Sequence, residues 1–250
     1  MFVRIARHYD LMNRLMTFGR DQAWRRYTTS QVGLGSRSLG SQGRKPERVL
    51  DVATGTGDLA LEVLRQYPDA QVLALDFVAE MLALAQRKAA AEQEDPVQQP
   101  DPSSPTPNRR SPSLLAGDAL RIPFGDGAFD AIVTGFALRN VTDIPAAFAE
   151  MARVTRPGGR LACLEIAKPS APLVRHLFAF YFYRIVPLVG GWITGERAAY
   201  TYLPHSLTLF LTPKKIAEVM RQTGWQEVRY KRLMLGTVAV HVGVRKLEQA

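Results

Sequence analysis

The sequence predicts an α/β protein built on a mostly parallel sheet. Three observations carry this. Short apolar runs alternate with helical patterns from Arg48 to Ile166. The spacers between these runs are long enough for helical crossovers, which parallel neighbours require. Near the C-terminus, Gln226 to Leu233 and Val238 to Lys246 are joined by Leu235-Gly236 and read as a hairpin closing the sheet.

Met1 to about Thr29 reads as helical, with Trp24 among its apolar positions, and Gly33 to Lys45 is a Gly/Ser-rich linker. Arg48 to Ala53 is the first strand, Gly57 to Gln66 a helix, and Gln71 to Asp76 the second strand. A helix from Ala79 to about Ala91 leads to a third strand, Leu114 to Asp118, and a fourth, Phe129 to Thr134. Ile144 to Thr155 is helical, and Pro157-Gly158-Gly159 turns into strand Arg160 to Ile166. Thr212-Pro213 opens a helix through Met220, with proline at the first helical position, where its missing N–H costs nothing. Between the second helix and the third strand, Glu92 to Ser113 is Pro/Ser-rich and almost free of apolar residues, so it is expected to be a disordered surface insertion. Pro169 to Phe210 is aromatic-rich and poorly periodic.

The 250 residues, 46% hydrophobic and 22% charged, suit one well-filled globular domain with a lid. The single cysteine, Cys163, lies in an apolar run. That excludes a disulfide framework and points to a reducing, cytoplasmic compartment. No cysteine or histidine cluster has metal-ligand spacing, so no metal is expected. Met1 to Asp10 carries Arg4, Arg7 and His8 and lacks the apolar core of a signal peptide. The nearest approach to a membrane span, Leu173 to Ile193, contains Arg175, His176, Arg184 and Pro187. A spanning helix needs about 20 mostly uncharged residues, so an interfacial or pocket-lining segment is expected instead. The net charge of +9 invites a nucleic-acid or anionic-membrane reading, but the bases are scattered as pairs such as Arg25-Arg26, Arg109-Arg110 and Lys214-Lys215. Solvated basic faces account for them, and no nucleic-acid partner is expected.

Asp51-Val52-Ala53-Thr54-Gly55-Thr56-Gly57-Asp58 follows the first strand and opens the first helix of the alternation. Glycines such as Gly55 and Gly57 let backbone approach a ligand closely. The third glycine of the dinucleotide fingerprint is missing, with Ala60 three residues beyond Gly57, so a pyrophosphate is not the expected ligand. Asp76 ends the second strand, where a carboxylate can accept both hydroxyls of a ribose, and Asp118 ends the third in Gly117-Asp118-Ala119. Each aspartate alone also fits a helix N-cap. Together, acidic loops without lysine or arginine suit a nucleoside-bearing sulfonium. Past the fourth strand, Gly135-Phe136-Ala137-Leu138-Arg139-Asn140-Val141-Thr142-Asp143 puts an Arg-Asn pair at the ligand edge of the sheet, where burial demands partners for both.

In these segments the chain resembles class I S-adenosylmethionine-dependent methyltransferases, and more narrowly the UbiE/MenG family of quinone-biosynthesis C-methyltransferases. The restricted signatures are Tyr9-Asp10-Leu11-Met12-Asn13 with Trp24 downstream and Leu138-Arg139-Asn140-Val141-Thr142-Asp143. Arg153 to Gly159, Leu164-Glu165-Ile166 and Ala199 to Ser206 add to them, and the resemblance spans nearly the whole chain outside the insertion. Asp21 stands where the family usually has histidine, Thr17 where it has serine, and Glu165-Ile166-Ala167 replaces Glu-Phe-Ser. The implied fold is a Rossmann-like, mostly parallel sheet with an antiparallel C-terminal hairpin strand and an N-terminal helical lid. Residues 1–45 would be lid and linker, and 46–250 the methyltransferase domain, with 92–113 and 169–211 as insertions.

The resemblance implies S-adenosyl-L-methionine as cofactor. Thr56 would face its amino-acid end, Asp76 the ribose and Asp118 the adenine amino group, with Ala119 and Gly135 as neighbouring contacts. It also implies methylation of a ring carbon of a prenylated hydroquinone, demethylmenaquinol to menaquinol, in menaquinone or ubiquinone biosynthesis. A phenol has a pKa of about 10, so the site must favour its anion. Arg139 would stabilise phenolate charge and Asn140 would donate a hydrogen bond to the same oxygen. Tyr9, His8, Tyr200 and His205 are candidate proton acceptors or orienters. Leu177 to Tyr183 and Ile185 to Trp192 would line a tail tunnel, meet the inner membrane surface peripherally, or form an ordinary core or homodimer contact. A methyltransferase of another small acceptor, a sterol or phenolic metabolite, is the alternative. A nucleic-acid-modifying protein is a further one, against which stand the lack of an Asn-Pro-Pro-Tyr motif and of an appended RNA-binding module.

Overall fold

The computed structural model describes residues 9–34, 46–94, 111–194 and 210–247. Seven strands form one sheet: β1 (Arg48–Val52), β2 (Gln71–Asp76), β3 (Ser113–Ala116), β4 (Phe129–Gly135), β5 (Thr155–Ile166), β6 (Trp225–Leu233) and β7 (Val238–Arg245), in spatial order β3-β2-β1-β4-β5-β7-β6. β1 to β5 pair in parallel, and β7 runs antiparallel to both β5 and β6. The helices are α1 (Tyr9–Met16), α2 (Asp21–Ser30), α3 (Asp58–Gln66), α4 (Ala79–Glu94), α5 (Ile144–Val154), α6 (Pro172–Phe180), α7 (Val186–Thr194) and α8 (Pro213–Gln222). This is the parallel sheet with a closing antiparallel hairpin that the alternation predicts.

Alternation along the central strands sorts side chains to two faces. Leu50, Val52, Ile132, Leu161 and Cys163 pack with Phe148, Met151 and Ile216 of α5 and α8. Val49, Val72, Ala74, Ala131 and Val133 pack with Leu59 and Val63 of α3. Trp24 of α2 extends the second layer over Leu164, Val238, Val240 and Val242. Trp225 is fully buried, and its indole N–H donates to Phe148 O at 3.1 Å, which satisfies the one polar atom in a large apolar side chain. Helix starts follow capping chemistry: Asp143 accepts from Ala146 N–H and Thr212 from Lys215 N–H, each with proline in the first turn.

Several boundaries differ from the sequence-based expectation. The N-terminal helix is broken at residues 17–20, where Gly19 adopts φ 70°. α4 continues to Glu94, with Gln93 Nε2 donating to Ser111 Oγ at 2.7 Å, so residues 92–94 are helix rather than insertion and Ser113 already belongs to β3. Residues 95–110, the centre of that expected disordered segment, lie outside the described residues. β3 stops at Ala116, which leaves Asp118 in a turn whose Leu120 N–H it caps at 2.9 Å. The Pro157-Gly158-Gly159 turn is a bulge within β5: Thr155 faces Phe129 and Arg160 faces Ala131.

The aperiodic stretch after β5 is helical. α6 and α7 join through a π-helical turn, Tyr181–Ile185, where Val186 N–H donates to Tyr181 O. Pro187 has no N–H to give and its ring crowds the preceding turn, so a wider turn there relieves both problems. The run Pro172–Trp192 has the length and hydropathy of a membrane-crossing helix, and few of its residues are buried. Its Leu173, Leu177, Phe180, Leu188 and Trp192 are exposed. Phe18, beside α1, packs its ring against Tyr181 at 5.7 Å, and Tyr181 OH donates to Met16 O at 3.2 Å.

Candidate functional site

The loops after β1, β2, β3 and β4 meet at the carboxyl edge of the sheet and enclose a cavity of about 350 Å³. Parallel sheets open such clefts where the strand order reverses, here between β1 and β4, whose following helices leave on opposite faces. Gly55, Thr56, Asp76, Asp118, Ala119, Gly135 and Asn140 all line it. Phe77, Val78, Met81, Leu120 and Phe136 supply its apolar walls.

The first loop is braced from below. Asp51 is fully buried, and its Oδ2 accepts from Thr54 Oγ1 at 2.6 Å and Ala60 N–H at 3.0 Å. Burial pushes its pKa up to about 7 against the opposing pull of those hydrogen bonds. Gly57, at φ 84°, is the N-terminal cap of α3, and a Cβ there would sit 3.1 Å from Ala85 Cβ. Gly57 therefore shapes the loop without reaching the cavity wall. At Gly135 a Cβ would sit 2.8 Å from Leu59 Cδ1, so the bare backbone is a packing requirement at the end of β4. Ala53 and Phe136 adopt positive φ, 56° and 58°, at the ends of β1 and β4, and both line the cavity. Strained non-glycine backbone of this kind collects at ligand sites.

Asp76 accepts Gly55 N–H at Oδ2 (2.7 Å) and Val78 N–H at Oδ1 (2.9 Å). Each carboxylate oxygen has two lone pairs, so one on each remains for a ligand. Thr56 is buried, and its hydroxyl donates to Asp10 Oδ1 at 2.7 Å and accepts from Lys88 Nζ at 3.0 Å. Lys88 also pairs with Asp10 at 2.6 Å and Asp58 at 2.5 Å. Burial raises the Asp58 pKa, yet Arg25 and Lys88 together outweigh that and hold the carboxyl below its ordinary range. The N-terminal helices are thus clamped onto the ligand loop by charge. Thr17 Oγ1 donates to Asp21 Oδ1 at 3.0 Å, so the two family departures at these positions are partners.

No lysine or arginine of the strand-end loops lines the cavity, but α2 brings Arg25 to its wall. The sequence held no local sign of this, because the contact joins α2 to loops more than 25 residues away. Arg139 does not line the cavity. Its side chain is 7% exposed, with Nη1 3.8 Å from Glu165 Oε2. Glu165 Oε1 accepts Leu138 N–H at 2.7 Å, so it anchors the turn that carries Arg139 and Asn140. Burial pushes Glu165 up to about 7 despite Arg139 and three backbone N–H groups. The visible signal for Glu165 is a lone acid inside an apolar strand. Tyr9 opens α1, and its backbone alone is described; His8, Tyr200 and His205 lie outside the described residues. Among the described residues no group of three potential ligands could hold a metal ion.

The sheet order, the glycine loop and an acid at the end of β2 define a class I methyltransferase. The cofactor of that class, S-adenosylmethionine, suits the chemistry of this lining, in which Asp76 and Asp118 supply acceptors and Arg25 supplies donors. The chain belongs to the ubiE/COQ5 methyltransferase family, which it matches over residues 1–245. Demethylmenaquinone methyltransferase of Roseiflexus castenholzii is 42% identical over 247 residues, 98% of this chain and 92% of the relative. Its counterpart from Thermus thermophilus is 41% identical over 98% of this chain and 100% of the relative. The ubiquinone/menaquinone biosynthesis C-methyltransferase UbiE of Desulfotalea psychrophila is 38% identical over 98% and 89%. Among solved structures, a SAM-dependent methyltransferase from Thermotoga maritima superposes with TM-score 0.62 at 14% identity, covering 98% of both chains.

Proposed function

We propose that this protein methylates a ring carbon of a prenylated hydroquinone, converting demethylmenaquinol to menaquinol. The observation that carries the reading is near-full-length identity of 42% and 41% to two demethylmenaquinone methyltransferases. The cofactor supplies the methyl group as a sulfonium. Asp76, Asp118 and Thr56 bind and orient it, with Gly55, Gly57, Ala119 and Gly135 shaping the cradle.

The acceptor carbon becomes nucleophilic when a ring hydroxyl loses its proton. Arg139 suits the stabilisation of that oxygen. It is a buried cation whose Nη1 has no hydrogen-bond partner, held at 3.8 Å from Glu165. Asn140 reaches the cavity wall from the next position and donates to the same oxygen. The ring proton leaves after the carbon–carbon bond forms and the sulfur–carbon bond breaks, so one proton is released per turnover. Tyr9, His8, Tyr200 and His205 are the candidate carriers. Exclusion of water by the N-terminal lid strengthens these electrostatic effects.

The acceptor's tail is apolar, and the face carrying Leu11, Leu15, Phe18, Leu177, Phe180 and Trp192 is exposed. Residues 167–194 carry Lys168, Arg175 and Arg184 and no acid. We propose that this face meets an anionic membrane surface from the cytoplasmic side, where tail and enzyme share one apolar phase. A homodimer across the same face is the competing occupant, and vesicle sedimentation beside analytical ultracentrifugation separates the two.

The test of function is incubation with methyl-labelled cofactor and a reduced short-chain demethylated naphthoquinone. Label on a ring carbon by NMR is expected. Label on oxygen, or none, overturns the reading.

A further inference from the structure

We infer that Arg25 receives the α-carboxylate of bound S-adenosylmethionine, which makes helix α2 part of the cofactor site. Arg25 is the sole lysine or arginine among the described residues that line the cavity. Its side chain is 11% exposed, and its Nε is buried without a hydrogen-bond partner. A buried donor left unpaired is costly, and such atoms in a cleft mark places where a ligand completes the bonding. The guanidinium is not free to wander. Its Nη2 lies 3.1 Å from Asp58 and 3.6 Å from Asp21, and its Cζ stands 5.9 Å from the ring centroid of Phe136, another cavity wall.

The ligand's own chemistry selects this group. Adenosine offers hydroxyls and an amino group, which the acceptor-only carboxylates of Asp76 and Asp118 suit. A carboxylate needs donors, and Arg25 lines the cavity while pairing with Asp58, the first residue of α3, so its guanidinium stands beside the N-terminus of that helix. The positive end of a helix dipole and a guanidinium attract the same anion. Asp21 and Asp58 hold Arg25 without saturating it, because a guanidinium has five N–H donors. The α-amino-acid group is zwitterionic, so the net positive charge the ligand brings is that of its sulfonium.

Decarboxylated S-adenosylmethionine tests this directly, since it keeps the adenosine, the sulfonium and the amine and lacks the carboxylate alone. Calorimetric titration of the whole protein should show S-adenosylmethionine binding ~10–100-fold tighter than the decarboxylated form, the range expected of a charge-assisted hydrogen bond. In Arg25→Gln that preference should collapse to about threefold or less, through weaker binding of the carboxylate-bearing ligand while the decarboxylated one is held as before. Arg25→Lys keeps a charge for Asp58 and should retain part of the preference, which covers the case in which the glutamine variant fails to fold. Equal losses for both ligands, or an unchanged preference in either variant, would overturn the assignment, as would a wild-type protein that does not discriminate. The acceptor plays no part in the measurement, so failure of the hydroquinone reading leaves it standing.

Discussion

The backbone N–H of Gly55 donates to Asp76 Oδ2 at 2.7 Å, so the loop after β1 and the tip of β2 are one unit. Val78 N–H holds the other oxygen at 2.9 Å. The carboxylate is thereby fixed in rotation, with spare lone pairs left for two hydroxyls. A ligand meeting a preset acceptor loses less conformational freedom than one that must order it.

Asp76→Asn should therefore weaken S-adenosylmethionine binding by about 1.5–3 kcal/mol, the worth of hydrogen bonds to a charged group. The amide has a single acceptor oxygen, so it cannot serve Gly55, Val78 and the ribose together. A modest fall in melting temperature should accompany the loss, because one backbone N–H goes unpaired. Calorimetric titration with an unchanged dissociation constant would remove Asp76 from the site.

Much of this was legible in the sequence, because sheet strands and crossover helices follow from local periodicity. Gln71–Asp76 matches its predicted span, and β4 runs one residue beyond its own. The residues that line the cavity follow strand ends, so a strand-by-strand reading finds them. What escaped depends on tertiary pairing. Arg139 meets Glu165 across 26 positions, and Arg25 and Lys88 reach the cofactor loop from α2 and α4. The Pro172–Thr194 helices escaped for a different reason. In α7 the apolar residues fall on several faces, and the π-helical turn Tyr181–Ile185 shifts its phase against α6, so no single 3.6-residue period runs through the pair.

Asp51 gives a pH prediction. Its folded pKa of about 7 lies above the ordinary carboxylate value near 3.8. Between those values the folded state binds more protons than the unfolded state, so this group's contribution to stability falls as pH rises from about 4 to 7. His241, buried and lowered to about 4, works the other way, losing stability as pH falls from 6.5. Comparing wild type with Asp51→Asn at each pH cancels the histidine. The variant should gain on wild type by roughly 2–4 kcal/mol between pH 4.5 and 7.5 in urea denaturation. A difference that does not move with pH would mean that Asp51 titrates normally.

Replacing residues 96–109 with a short Gly/Ser bridge should leave activity and melting temperature nearly unchanged. The segment contains a single aliphatic residue, Val97, among prolines and polar residues, so it has little to add to a core. Loop length carries only a weak entropic cost. A large loss of turnover with a normal melting temperature would make the insertion part of the active site.

Arg139→Lys should lose most turnover and keep S-adenosylmethionine affinity. The affinity should hold because Arg139 is outside the cavity wall, held at 3.8 Å from Glu165. Turnover should fall because lysine keeps the charge but not the planar fork, so it cannot serve Glu165 and a phenolate oxygen in the same geometry. Charge that develops mainly in the transition state should register in kcat more than in KM for the acceptor. Lysine still neutralises buried Glu165, so the variant should fold, whereas Arg139→Met would leave that acid unpaired and cost stability as well. The measurement is a steady-state assay with a short-chain demethylated naphthohydroquinone beside a cofactor titration. Wild-type turnover in the lysine variant would end the electrostatic role. Lost cofactor binding would instead assign Arg139 to the donor site or to the fold through the turn that Glu165 anchors.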